Sequence, residues 1–253
     1  MDTDNTYGNL SFHKKYLTDI KAFHEYCKCY GIKYSLSGGT LLGAIRHKGF
    51  IPWDDDMDVM FSRLEYNNFL STMKNHPLEG YEVFYGNSWV NRFTAKDNPL
   101  KEQELQCIDL FVFDNVPQRE LVDKMKVFML KTIQGMIKGN VDYQDYPFRY
   151  RLSLLITHFL GLFFPKNLKI KAYDSVSKIG KKSGKIRVYN IFFSLLGKNT
   201  FSETLLDEYT TVSFEGIELM SISRHHEYLT TLYGDYMTPP KMGERKPSHR
   251  NDE

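Results

Sequence analysis

Between Ile32 and Phe61 the chain changes its hydrophobic period twice, and that order restricts the folds open to it. Ile32-Lys-Tyr-Ser-Leu-Ser37 alternates with period two, as a strand with one buried face does. Gly38-Gly39 follows at once, Thr40 is placed to cap a short helix with the sequence TLLGAIRH, and Lys48-Gly49 ends it. Pro52 keeps its neighbours extended, and from Asp56 to Phe61 the period returns to two. Strand, glycine turn, helix and acidic strand in this order predict an α+β fold.

The acidic strand carries the chemistry. Side chains two apart on a strand point the same way, so Asp56 and Asp58 share one face while Met57 and Val59 take the other. A third carboxylate, Asp109, lies inside Cys107-Ile-Asp-Leu-Phe-Val-Phe113, the most strand-like run in the chain. A carboxylate in such apolar company needs hydrogen bonds or a cation. Together Asp56, Asp58 and Asp109 are the candidate catalytic and metal-binding residues, and their hard oxygen atoms suit Mg²⁺ or Mn²⁺. Ser37, Gly38, Gly39 and Thr40, at a helix N-terminus without bulky side chains, are candidates for holding phosphate. Arg46, His47 and Lys48 would neutralise phosphate charge, or serve only the helix C-terminus. Trp53 is expected to stack on a base or an alcohol head, or to pack.

Other sites are excluded. Asp54, Asp56, Asp58 and Glu65 fall at EF-hand ligand spacing, but Val59 stands where the loop needs glycine. Neither a P-loop nor a dinucleotide fingerprint occurs, and no serine hydrolase signal is present.

Elsewhere, helices are expected over 10–30 and 64–74, short strands at 81–84 and 89–94, and a helix near 225–233. The division expected is 1–117 as core, 118–200 as a mostly helical insertion, and 201–253 completing the core. Residues 118–200 hold 16 Lys and Arg against 5 Asp and Glu in a chain whose net charge is only +2. Such a segment attracts anionic partners, anionic membrane among them; nucleic acid is not expected, since no base-reading motif accompanies the lysines. Within it, Leu152–Phe164 is too short to span a bilayer, which leaves a buried core helix or an interfacial segment. Aromatic residues, 15 % of the chain, suit a core or a stacking surface. Three cysteines give no disulfide framework, and with no export signal the expectation is a cytoplasmic protein, peripheral on the inner membrane face if the basic segment binds there.

The run SGGTLLGAIRHKGFIPWDDDMDV at Ser37–Val59, IDLF around Asp109, FEG at Phe214–Gly216 and YLTTLYGDYMTPP at Tyr228–Pro240 closely resemble the LicD family, and also the fukutin-related ribitol-phosphate transferases. The resemblance implies a nucleotidyltransferase-like mixed sheet flanked by helices, in which Asp56 and Asp58 bind metal with Asp109 as third carboxylate. It further implies transfer of a phospho-alcohol such as phosphocholine from a CDP-activated donor to a glycan or its lipid-linked precursor, as in lipopolysaccharide or teichoic acid synthesis. Two alternatives remain at this point: transfer of a nucleotide from an NTP to a small molecule, or an inactive glycan- or anion-binding module.

Overall fold

The computed structural model describes residues 8–84, 88–138 and 148–245. It resolves into two compact units: residues 1–84, 91–112 and 204–253 form the first, and 85–90 with 113–203 the second.

The first unit opens with α1 (Leu10–Cys29), whose Tyr16, Ile20, Phe23 and Tyr26 recur at helical spacing and are buried. Phe23 is the hub of its core, with ring centroids 4.9 Å from Tyr34 and 5.3 Å from both Phe69 and Phe93. Much of the aromatic richness is therefore core. β1 is only Ser35–Leu36, shorter than the alternation predicts. The reason lies in its donors: Ile32 N–H turns back to the Cys27 carbonyl at 2.8 Å, and Lys33 N–H goes to the Glu65 carboxylate at 3.2 Å. Those groups are lost to a ladder.

α2 (Gly38–Arg46) begins two residues earlier than expected, because Ser37, in extended conformation, occupies the N-cap position. Thr40 lies inside the helix and caps nothing; its hydroxyl instead accepts Asp58 N–H at 2.9 Å. β2 (Met57–Ser62) follows, then α3 (Arg63–Asn75), capped by Ser62 Oγ accepting Glu65 N–H at 3.2 Å. β3 (Tyr81–Phe84), β4 (Asn91–Ala95) and β5 (Ile108–Asn115) complete a sheet in the order β1-β2-β5-β4-β3. A hairpin of β8 (Tyr209–Phe214) and β9 (Ile217–Ile222), then α7 (His225–Tyr233), return the C-terminal part to this unit. The whole is α+β, as the sequence predicts.

β5 crosses from the first unit into the second after Val112. There its end pairs with β6 (Lys185–Val188), which pairs with β7 (Phe201–Ser202), two strands that periodicity did not isolate. Helices α4 (Glu120–Ile137), α5 (Phe148–Gly161) and α6 (Lys166–Ser177) supply the predicted helical, basic segment. Glycine permits the close approach of α4 and α5: a Cβ on Gly135 would strike the Thr157 hydroxyl, and one on Gly161 the Met136 backbone. Two buried cations are satisfied locally. Lys126 Nζ donates to the Asn115 carbonyl at 3.0 Å and lies 3.3 Å over the Tyr189 ring; Arg187 forks onto Asp123 at 2.9 Å.

The apolar run at Leu152–Phe164 is not a core helix. Leu154 is buried, but Leu152, Leu155, Ile156, Phe159 and Phe163 are exposed. Among the described residues no helix is long and apolar enough to cross a membrane. Cys27, Cys29 and Cys107 are free thiols.

Candidate active site

The approach to the acidic run is clamped by the start of α1. Asn9 donates from its amide to the carbonyls of Pro52 and Asp54 at 3.0 and 3.1 Å, and His13 Nε2 stands 2.7 Å from the same Asp54 carbonyl. His13 also stacks on Phe50, ring centroids 4.1 Å apart, and Tyr16 donates its hydroxyl to the Asp55 carbonyl at 3.2 Å. Backbone from Phe50 to Asp55 is thus held without belonging to any regular element.

Glycine decides what happens next. Gly38 has φ +51°, and a Cβ there would lie 2.8 Å from Asp58 Oδ2; a Cβ on Gly39 would collide with the Asp54 carboxylate. The glycine pair is therefore already approached by two of the protein's own carboxylates, where the sequence suggested a cradle for phosphate. Its register is fixed from below by Ser37 N–H donating to the Asp58 carbonyl at 3.0 Å, and from α7 by the Tyr228 hydroxyl, 2.8 Å from Ser37 Oγ and 3.3 Å from Gly38 N. Ser37 and Thr40 are buried; the Thr40 hydroxyl positions the acidic strand, while the Ser37 hydroxyl meets Tyr228.

Asp54, Asp56 and Asp58 are half-buried. Burial pushes the Asp58 carboxyl well above the usual carboxylate range, and the charges of Asp56, Asp109 and Asp54 push it further, against a smaller opposing effect of Arg92. Asp54 is raised in the same way, by burial and then by Asp56, to which it hydrogen-bonds. The carboxylates of Asp54, Asp56 and Asp109 all lie within electrostatic reach of Asp58, which brings the predicted trio Asp56, Asp58 and Asp109 together around it.

Asp109 has a partner that the sequence reading did not foresee. It stands directly across from Arg92 in the β4–β5 ladder, and Arg92 Nε approaches its Oδ1 at 2.8 Å while reaching Glu104 at 3.1 Å with another nitrogen. Among the described residues no three His, Cys, Asp or Glu side chains form a group that could hold a metal ion by themselves.

Of the predicted basic residues, Arg46 reaches the acidic cluster. Arg46 donates to the Tyr236 carbonyl at 2.8 Å and is close enough to Asp54 for their charges to interact. The His47 imidazole is held below its ordinary range by burial and then by the charges of Arg46 and Arg245. Trp53 presents its edge to His47, centroids 6.0 Å apart, and carries the Arg245 guanidinium 5.1 Å above its ring. Lys48 is exposed, with φ +61°. Its carbonyl accepts Glu215 N–H at 2.8 Å, and the Glu215 carboxylate accepts Phe50 N–H at 3.1 Å, so the hairpin tip Phe214-Glu215-Gly216 pins the loop leading out of α2.

A family model described as the nucleotidyltransferase domain of LicD, FKTN and FKRP matches residues 31–141, the stretch that contains every carboxylate of the recess. Across almost the full chain there is a longer relationship: 30 % identity over 92 % of this protein and 92 % of the lipopolysaccharide cholinephosphotransferase LicD of Haemophilus influenzae. The chain belongs to the LicD family. By that membership it is a transferase of phosphate-containing groups. Uncharacterized proteins of Rickettsia typhi and Rickettsia prowazekii are similar over shorter stretches, 31 % and 32 % identical over 37 % of this chain and over 27 % and 31 % of their own lengths. In this LicD protein the residues that sequence alone did not assign to the site are Asp54, Arg92, Glu215, Tyr228 and Arg245. Asp54 was in plain view beside the motif, and the FEG and YLTTLYGDY segments contain Glu215 and Tyr228. Arg92 and Arg245 left no local signal, because each reaches the site only through strand register or a chain reversal.

Proposed function

We propose that this LicD protein transfers a phosphocholine-like alcohol phosphate from a CDP-activated donor to a hydroxyl of lipopolysaccharide, a related cell-surface glycan, or its lipid-linked precursor. The observation that carries this reading is the recess itself: mutually repelling carboxylates, held against the α2 N-terminus by Gly38 and Gly39, inside the segment that matches the family.

The donor set fits a divalent cation in one specific sense. Hard carboxylate oxygen ligands suit Mg²⁺ or Mn²⁺, and Mg²⁺ is usually held by one or two carboxylates together with substrate phosphates and water. Asp56 and Asp58 are the residues that would hold the ion, with Asp109 as the third carboxylate when substrate is present. A bound cation would neutralise the donor's diphosphate and acidify the acceptor hydroxyl.

The remaining work falls to side chains of this protein. Arg46 lies within charge range of Asp54, with His47 and Arg245 beside it, and its positive charge would stabilise the developing charge on CMP as it departs. Arg92 holds Asp109 by an ion pair, and the role of Asp109 on this reading is to complete the metal site or to accept the proton of the attacking hydroxyl. The bond that forms joins that hydroxyl oxygen to the alcohol-bearing phosphorus, and the bond that breaks is its link to CMP. Trp53, with Arg245 over its ring, serves as wall more than as a platform for a second cation.

Incubating the protein with Mg²⁺, a panel of CDP-alcohols and an acceptor glycan, then following CMP and glycan mass, tests the proposal. A glycan heavier by the alcohol phosphate, with CMP released, supports it. A product carrying a nucleotide, with pyrophosphate released from an NTP, would replace it with nucleotidyl transfer.

A further inference from the structure

The second unit leaves an apolar face uncovered. α4 exposes Leu121, Met125 and Phe128 on one stripe, and its packing neighbour α5 exposes Leu152 and Phe159, with Phe163 just beyond; all six are between 56 % and 71 % exposed. Single exposed apolar residues are ordinary, but stripes of large side chains on two helices that pack together mark an interaction surface. The buried side of the same helices is already occupied, by Leu130, Ile137 and Leu154 and by the close glycine contacts of Gly135 and Gly161.

Charge selects among partners. From Phe148 to Tyr173 the chain carries Arg149, Arg151, Lys166, Lys169 and Lys171 and no Asp or Glu. Lys169 donates to the carbonyls of Met136 and Gly161 at 2.9 and 3.1 Å, and Lys166 and Lys171 are exposed. A symmetric dimer through this face would bring the same cations against themselves. A lipid surface bearing phosphate groups neutralises them and takes up the apolar side chains at once. α5, with 14 residues, is about 21 Å long, below the ~30 Å of a bilayer's hydrocarbon core, so it suits lying in the interface plane.

We infer that the outward faces of α4 and α5 form a docking surface for anionic phospholipid membrane. The inference is independent of the transfer chemistry and holds whichever group the recess transfers.

Flotation of the full chain with vesicles, without substrates, tests it. The protein is expected to float with vesicles containing phosphatidylglycerol at low salt, less so at high salt, and far less with phosphatidylcholine alone. Lys166→Glu combined with Lys171→Glu is expected to weaken partitioning at least tenfold, each surface cation being worth about fivefold. Phe159→Glu with Phe163→Glu should abolish it, both side chains being exposed and their replacement compatible with an unchanged melting temperature. If the phenylalanine variant unfolds, the lysine variant decides. The inference is overturned by absence of flotation with anionic vesicles at low salt, by flotation of the folded variants equal to that of the parent, or by self-association without lipid binding that Phe159→Glu with Phe163→Glu removes.

Discussion

Replacing Gly38 by alanine perturbs the recess through the backbone without touching a charge. At φ +51° a non-glycine residue is in left-handed conformation, which costs about 1–2 kcal/mol. The new Cβ would stand 2.8 Å from Asp58 Oδ2, where ordinary contact begins at 3.4 Å, so the carboxylate must retreat by the difference, about 0.6 Å. A misplacement of about 1 Å in a reacting constellation costs on the order of a hundredfold, so a loss of roughly tenfold in turnover is expected here. The strain should lower the melting temperature by roughly 2–8 °C in a chain of this size. Gly39→Ala is the informative companion. Its backbone is ordinary helix, where alanine gains about 1 kcal/mol, while its Cβ displaces the carboxylate of Asp54. Melting by circular dichroism and CMP release from a CDP-alcohol, measured on both variants, separate strain from displacement. A Gly38→Ala protein with parental turnover and melting temperature would refute the argument that glycine is required there by the approach of Asp58.

Further outcomes follow from the same contacts. Arg92→Met leaves Asp109 and Glu104 without their guanidinium and should cost about 3 kcal/mol, read by urea denaturation, with turnover falling in the folded fraction as well. Glu215→Ala removes the acceptor of Phe50 N–H; a loss of about 1 kcal/mol is expected, with a larger fall in turnover than in stability because the loop it pins leads into the acidic run. His47 is depressed in the folded protein, so the unfolded chain takes up a proton first as pH falls; its contribution to stability is present above the ordinary imidazole value and is lost as pH drops from there through the folded value. Melting profiles of His47→Gln should therefore be flatter than the parent's between about pH 7 and 5. Adding Mg²⁺ should raise the parent's melting temperature and do so less for Asp58→Asn; equal shifts would place cation binding elsewhere.

Much of this architecture was legible because period and punctuation agree locally. The amphipathic spacing of Tyr16, Ile20 and Phe23 gave α1, and the alternation after Asp56 gave β2 almost to the residue. Errors arose where a partner distant in sequence claimed a local group. Ile32 and Lys33 alternate like strand residues, yet Cys27 and Glu65 take their N–H groups. Thr40 has the right chemistry for a cap, but the N–H it accepts belongs to Asp58 and Ser37 sits at the cap position. The apolar run of α5 read equally well as core or as interface, since sequence pattern records hydrophobicity and cannot record whether another element covers it. In the recess, the carboxylates were visible as a motif; the guanidinium facing Asp109 depends on the register of two strands, which no local pattern specifies.

The central claim is that the carboxylates gathered around Asp58 perform the transfer, and Asp58→Asn addresses it most directly. Turnover of a CDP-alcohol to CMP, in Mg²⁺ and with acceptor glycan, is expected to fall by roughly a thousandfold or more. The melting temperature without cation should hold or rise, because one of several repelling charges is removed from a recess that raises this carboxyl by burial and by its neighbours. A folded Asp58→Asn protein that releases CMP at the parental rate would contradict the account.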